Sequence, residues 1–364
     1  MLKIEDIDIG DFSRTKDIDR ELVQIISKQK SKIKVIGVGG GGNNTITRIR
    51  EIGIKGAETI AVNTDAQDLL YTEADYKILI GKNLTDGLGA GADPEIGEKA
   101  ARESEEEIKK HVSGSNMVFL TGGLGGGTGT GAMPVIAEIA KKAGALTIGV
   151  VTLPFSVEGN IRHENAVLGL EKLENAIDTL IVIPNDKLLE LAPDLPLYTA
   201  FKVADEILTN AIKGTTELVT KAGLVNLDFA DIKAVMTNGG VSVITMGESD
   251  SAHNRAREAV EKALENPLLD VSIDGAKGAL INIIGGTDLS LEETNKIIDS
   301  VGKKISSNAK LIWGAQISQD MGKMIRVMLI LTGVKSAQIL GPGETESMKK
   351  GRKMSEELGI DFIE

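Results

Sequence analysis

Thr121-Gly122-Gly123-Leu124-Gly125-Gly126-Gly127-Thr128-Gly129-Thr130-Gly131 stands between a short apolar run, Asn116–Thr121, and a helical segment that contains Pro134. A flexible linker does not sit between a buried strand and a helix. Glycines at such a junction instead let the backbone approach an anion, and the free N–H groups of a helix start favour negative charge. A second stretch of this kind lies upstream. Gly37-Val38-Gly39-Gly40-Gly41-Gly42-Asn43-Asn44 follows the apolar run Ile33–Val38 and opens another helix. It satisfies G-x-G-x-x-G at Gly37, Gly39 and Gly42, and alone it also fits a dinucleotide site with Asp65 as the ribose-binding acid. A dinucleotide site needs one such loop. Two loops suit one highly charged group, such as a triphosphate, held from both sides, with the Thr128 and Thr130 hydroxyls as further donors. No G-x-x-x-x-G-K-[ST] occurs, so this is not a P-loop chain.

Outward from the loops, apolar runs at Ile33–Val38, Thr59–Asn63, Lys77–Ile80, Asn116–Thr121, Leu146–Thr152 and Thr179–Pro184 read as buried strands. Helical patterns at Asn44–Ile52, Pro94–Val112, Met133–Ala143 and Arg162–Ile177 lie between them. This alternation predicts an α/β fold, a mostly parallel sheet covered on both faces. Phe201–Ala222 is the clearest helix, with Gly223 as its stop and an interior Gly214 that packing must compensate. Beyond it, strands are expected at Lys233–Thr237, Val241–Met246, Ala279–Ile284, Lys310–Ile317 and Ile325–Thr332, and helices at Ser251–Leu264 and Leu289–Lys304. The reading is a polar N-terminal extension (1–32) with one amphipathic helix, a three-layer parallel-sheet nucleotide-binding domain (33–225), a smaller α/β domain with a mixed sheet (226–343), and a charged tail (344–364). The long helix joins the two domains.

The 364 residues carry a net charge of −12, no cysteine and 3% aromatics. An acidic chain is a poor partner for nucleic acid or an anionic membrane. Absence of cysteine excludes disulfides and thiolate metal sites and suits a reducing cytoplasm. His111, His163 and His253 are scattered outside any ligand motif. The first residues lack the apolar stretch of a signal peptide, and no run approaches the ~20 apolar residues of a membrane span. Membrane contact is therefore expected to be indirect.

The segment Gly122–Gly131 resembles the signature of the tubulin/FtsZ superfamily. Asn63-Thr-Asp-Ala-Gln67, Gly87-Leu-Gly-Ala-Gly-Ala-Asp-Pro94, Asn226-Leu-Asp-Phe-Ala-Asp231, Asn266-Pro-Leu-Leu269 and Gly275-Ala-Lys-Gly278 are similar to the FtsZ branch rather than to tubulin, and the likeness runs from about Ile33 to about Gly333. The resemblance implies a GTPase of the prokaryotic cell-division ring, cytoplasmic and at the division site, using GTP/GDP and Mg²⁺. It implies phosphate contacts from Gly39, Gly40, Gly41, Gly42, Asn43 and Asn44 and from Gly126, Gly127, Thr128, Gly129 and Thr130. Glu158 and Arg162 would meet the ribose or phosphate, Asn185 the guanine, Phe201 the face of the base, and Asp205 its N1 and N2 donors. Asp228 and Asp231, with Asn226 positioning their loop, would polarise the attacking water. Read without the family, Glu158 and Arg162 are a salt-bridged helix start, Asn185 a turn residue, Phe201 an apolar residue at a helix start, and Asp228 and Asp231 a solvated acidic loop.

Phe201 to Ala222 spans roughly 32 Å as a helix, so residues at its two ends cannot touch one compact nucleotide in one chain. If both ends serve the nucleotide, two chains share the site, and the implied partner is the chain itself in a head-to-tail homopolymer. A membrane-anchoring division protein is the other implied partner. The chain departs from the family pattern at Asn43, where glycine is more usual, and at Thr45, where alanine is common. Its region after Gly343 is short and ends in Ile360-Asp-Phe-Ile363, which reads either as a partner-binding peptide or as a hydrophobic end packed on the domain.

Overall fold

The computed structural model describes residues 32–187, 196–220, 223–225, 228–265, 273, 276–306 and 308–334. The expected N-terminal helix, Asn226, the 266–269 motif, Gly275 and the tail lie outside the described residues.

Every apolar run of the first half forms a strand. These are β1 (Ile33–Val38), β2 (Ala57–Asn63), β3 (Tyr76–Leu79), β4 (Met117–Gly123), β5 (Leu146–Leu153) and β6 (Thr179–Pro184). Between them run α1 (Gly39–Ile52), α2 (Ala66–Tyr71), α3 (Lys82–Thr85), α4 (Pro94–Glu103), α5 (Glu105–Val112), α6 (Thr128–Lys142) and α7 (Asn160–Ala176). The second half carries α8 (Leu197–Thr220), α9 (Phe229–Met236), β7 (Gly240–Ser249), α10 (Arg255–Leu264), β8 (Gly278–Gly285), α11 (Leu291–Gly302), β9 (Lys310–Ile317) and β10 (Ile325–Thr332). The strands order as β3-β2-β1-β4-β5-β6-β7-β10-β8-β9. The first six are mutually parallel. β10 runs antiparallel to both β7 and β8. The expected mixed sheet is thus present, and it is continuous with the parallel one: β6 pairs with β7 from Thr179↔Gly240 to Ile181↔Ser242.

Alternation along the strands explains the layers. Val118 and Leu120 of β4 enter one core with Ala100, Ile108, Val135 and Leu170 of α4 to α7. Met117 and Phe119 enter the other, with Ile46 and Ile49 of α1, Leu208 and Ile212 of α8, and Ile232 and Met236 of α9. Both sets are buried, so the strands read as continuous apolar runs. The α/β class and its three layers follow.

Three elements differ from the sequence reading. Lys233–Thr237 is not a strand, because Phe229, Ile232, Val235 and Met236 recur at helical spacing and Asp228 caps α9; a short apolar run does not fix its own period. Pro94–Val112 is two helices, broken at Ser104, whose hydroxyl accepts from Gly81 N at 3.2 Å. Both glycine loops are partly helical, since α1 begins at Gly39 and α6 at Thr128.

Gly214 inside α8 has a packing reason: a Cβ there would lie 2.6 Å from Cε of Met328 on β10. That obstacle is the tip of a flexible side chain. At Gly42 the obstacle is backbone, with a Cβ 2.5 Å from the carbonyl oxygen of Thr121. The two alanine substitutions should therefore differ in urea unfolding. Gly42→Ala is expected to destabilise by about 1–3 kcal/mol. Gly214→Ala should stay within about 1 kcal/mol of wild type, its helix-propensity gain offsetting the displaced methionine.

Candidate nucleotide site

The parallel strands β1, β4, β5 and β6 end on one edge of the sheet. From β1 the chain continues to β2 on one side, whereas β4 leads to β5 and β6 on the other. The crevice between β1 and β4 is thus a topological switch point, the place where α/β sheets bind ligands. Parallel pairing sets Gly37 opposite Thr121, so the two glycine loops leave the sheet side by side. Gly39 turns with φ 71, and a Cβ on it would sit 3.0 Å from Gly129 N. The helices opening here, α1 and α6, have neither a side-chain cap nor an acidic residue in the first turn. Asp65 and Asp93 cap α2 and α4 nearby. The first N–H groups of α1 and α6 lack intrahelical partners, and both helix dipoles turn positive toward the crevice.

The cleft has a volume of about 370 Å³. Of the residues anticipated from sequence, Gly39, Gly40, Gly41, Asn44, Gly126, Gly127, Thr128, Gly129, Glu158, Arg162, Asn185, Phe201 and Asp205 line it together. Gly42, Asn43 and Thr130 stand behind the wall. Gly42 packs on the Thr121 carbonyl. Asn43 is 1% exposed, and its Nδ2 donates to Asp68 Oδ2 at 2.8 Å, which also accepts from Asn63 Nδ2 at 2.6 Å. Thr130 Oγ1 accepts from Gly125 N at 2.9 Å, fixing the loop's shape. The Thr128 hydroxyl is shared with Thr64 at 2.7 Å, so what Thr128 turns to the cleft is chiefly the start of α6. Sequence reasoning missed the supporting Asn63, Thr64 and Asp68, although the segment Asn63–Gln67 contains the first two and ends just before the third. It also missed the lining residues Thr152, Pro154 and Leu208, which carry no polar signature beyond one hydroxyl.

The far half of the cleft is built by the residues after β5 and β6 and by the start of α8. Glu158 accepts from Phe155 N at 2.9 Å and pairs with Arg162. The salt-bridged helix start and the cleft wall are therefore the same residues. Asn185 is buried and its Oδ1 has no hydrogen-bond partner among the described residues, an orphaned acceptor suited to a ligand N–H. Phe201 meets Phe155 edge to face, centroids 5.2 Å apart, and remains 40% exposed beside the cleft. Burial pushes the Asp205 carboxyl up to about 6, against the opposing pull of the Thr45 hydroxyl and Arg48.

Asp228 and Asp231 do not line this cleft. They form a capping box on α9: Asp228 Oδ1 accepts from Asp231 N at 2.7 Å, and Asp231 Oδ2 from Asp228 N at 3.3 Å. The chain reaches them past Leu224, which bonds to Ala315 of β9 at 2.8 Å. Between them and the cleft runs α8, 24 residues and roughly 36 Å long.

Residues 32–193 match the Tubulin/FtsZ family GTPase domain, and residues 240–335 match the FtsZ family C-terminal domain. The chain belongs to the FtsZ family. It is 56% identical over 348 residues to cell division protein FtsZ 1 of Archaeoglobus fulgidus, covering 96% of this chain and 92% of that one. It is 60% identical to the Thermococcus kodakarensis FtsZ 1, covering 91% and 88%. An FtsZ dimer structure from Methanocaldococcus jannaschii superposes with a TM-score of 0.82 at 58% identity, covering 87% and 92%. As an FtsZ-family member the chain is a GTPase that binds GTP and GDP, and a GTP-dependent, filament-forming protein of cell division. Among the described residues no helix is long and apolar enough to cross a membrane.

A Cβ at Gly126 would meet nothing within 4 Å, at a position that lines the cleft. Gly126→Ala should therefore keep its unfolding free energy in urea within about 0.5 kcal/mol of wild type and weaken GTP binding several-fold in a titration. Gly39→Ala should lose both stability and binding, because its φ and its contact with Gly129 are incompatible with a side chain.

Proposed function

We propose that GTP lies in this cleft with its triphosphate between the starts of α1 and α6, and that it is hydrolysed where Asp228 and Asp231 of a second copy close over it. The observation that carries this reading is the separation by α8. Phosphate-binding geometry sits at one end of that helix and the exposed acidic cap beyond the other, so one chain cannot bring both to one nucleotide. A head-to-tail contact does so, and because it is heterologous it repeats into a filament. Exposed apolar side chains suit both faces: Leu88 (85% exposed), Val157 and Ile161 on the cleft side, and Leu224 (67%) beside the acidic cap. In this arrangement residues 33–225 act as the binding unit and 226–343 as the activating one.

Within the cleft, the orphaned Asn185 Oδ1 and the Asp205 carboxylate face donors of the guanine edge, which adenine does not present in the same pattern. Phe201 packs on the base, and Glu158 and Arg162 hold the ribose or phosphate. The chemistry is phosphoryl transfer to water, governed by positioning and charge stabilisation. One oxygen of each of Asp228 and Asp231 serves the cap, and the other accepts from the attacking water and aligns it. Asn226 steadies the same loop. Among the described residues no three His, Asp or Glu side chains converge. Mg²⁺ would be held by phosphate oxygens and water beside Asn44, which lines the cleft, and would supply charge neutralisation when bound. We infer further that the protein works in the cytoplasm at the division site and reaches the membrane through a separate division protein, since a net charge of −12 repels an anionic surface.

Two experiments follow. In a 1:1 mixture of Asp231→Asn and Asp205→Ala chains, each nearly inactive alone, interfaces that join an intact cleft to an intact acidic loop should restore about a quarter of wild-type GTP hydrolysis. Asn retains the cap acceptor and so isolates the catalytic carboxylate. A mixture no more active than its parts would mean the site is complete within one chain. Second, guanine donors need the ionised form of Asp205, whose carboxyl is raised to about 6 by burial. Binding lowers that value, so affinity should be constant above pH ~7 and fall by up to about tenfold per pH unit below 6. Asp205→Asn should remove this slope in isothermal titrations.

A further inference from the structure

Thr45 is 0% exposed and does not line the cleft. Its hydroxyl nevertheless touches both halves of it. Oγ1 lies 3.0 Å from the carbonyl oxygen of Gly41, in the first phosphate loop, and 3.4 Å from Oδ1 of Asp205, on α8. We propose that Thr45 is a positioning residue for guanine discrimination, holding the Asp205 carboxylate so that both its oxygens meet the base edge.

A bond from threonine to the carbonyl four residues back is common inside helices. Thr47 makes one to Asn43 at 3.1 Å. The contact with Asp205 is what distinguishes Thr45. The Asp205 side chain has two torsions, and reading N1–H and N2–H₂ together requires its carboxylate plane to coincide with that of the base. A hydroxyl fixed by the α1 backbone, its proton shared between the Gly41 carbonyl and Oδ1, narrows the rotations that miss this plane before the base arrives. Arg48, on the same helix, is engaged by Glu51 at 2.8 Å and Glu206 at 2.6 Å, so it attracts Asp205 only at longer range. The single Thr45 proton also links the carboxylate to Gly41, which ties the geometry of the phosphate loop to the base end of the cleft.

The inference rests on reading Asp205 as the guanine acceptor. Its test compares affinities for GTP and for inosine triphosphate, which keeps N1–H and lacks the N2 amino group. Thr45→Val preserves the buried shape and removes the donor; Thr45→Ala is a second deletion should valine strain the helix. Either should lower the GTP-over-ITP preference roughly three- to tenfold, chiefly by weakening GTP. Thr45→Ser should restore the preference, and Thr47→Ala, which loses a helical back-bond and the acceptor of Glu73 N but no contact with Asp205, should leave it unchanged. Equal weakening of GTP and ITP would reduce Thr45 to a scaffold residue and overturn the proposal, as would an unchanged preference. Asp205→Asn separates the two levels. If it abolishes the preference while the Thr45 variants do not, only the role of Thr45 fails. If it preserves the preference, the assignment of Asp205 fails and the inference with it.

Discussion

The backbone of Gly42 lies against the carbonyl of Thr121 so closely that a Cβ would stand 2.5 Å from that oxygen. This contact, with the parallel pairing that sets Gly37 opposite Thr121, brings two loops from different parts of the chain to one crevice. Each loop opens a helix whose first N–H groups have no side-chain cap. The result is two positive helix ends facing one volume, which is the electrostatic requirement of a triphosphate. The supports behind the wall serve the same end. Thr128 with Thr64, Thr130 with Gly125, and Asn43 with Asp68 and Asn63 all hold loop backbone, and none depends on an ion pair that salt would screen.

The long helix α8 carries the constraint to the other end of the molecule. Its first turns supply Phe201 and Asp205, its middle rests on Met328 of β10 through Gly214, and the chain beyond it reaches the acidic cap of α9. Asp228 and Asp231 have a structural duty in their own chain, which holds the carboxylates in a fixed pose at an exposed edge. The cap and the proposed water-polarising role are therefore compatible uses of the same pair. They call for asparagine rather than alanine in any test, since losing the cap alone costs about 1 kcal/mol.

Much of this was legible in the sequence because it rests on backbone. The parallel strands announced themselves as apolar runs, and the glycine loops as runs that only a close backbone approach explains. What was not legible depended on side chains meeting across the fold. Thr130 and Asn43 sit in the expected segments, but the partners of their side chains, Gly125 N and Asp68, could not be read from the loop sequences. Lys233–Thr237 read as a strand because five apolar-rich residues carry no period, and the deciding residue was the Asp228 cap upstream. The Thr45 contact joins residues 160 positions apart, beyond any local pattern. The continuity of the sheet through β6 and β7 rests on three register pairs and leaves no mark on composition.

The central claim is that binding and hydrolysis are divided between copies of the chain. The most direct measurement is GTP hydrolysis per chain as chain concentration rises, with Mg²⁺ present and ATP as control. The shared site predicts activity that climbs steeply above a threshold concentration with GTP and stays at background with ATP. Activity per chain that is independent of concentration, with GTP still bound, would contradict it.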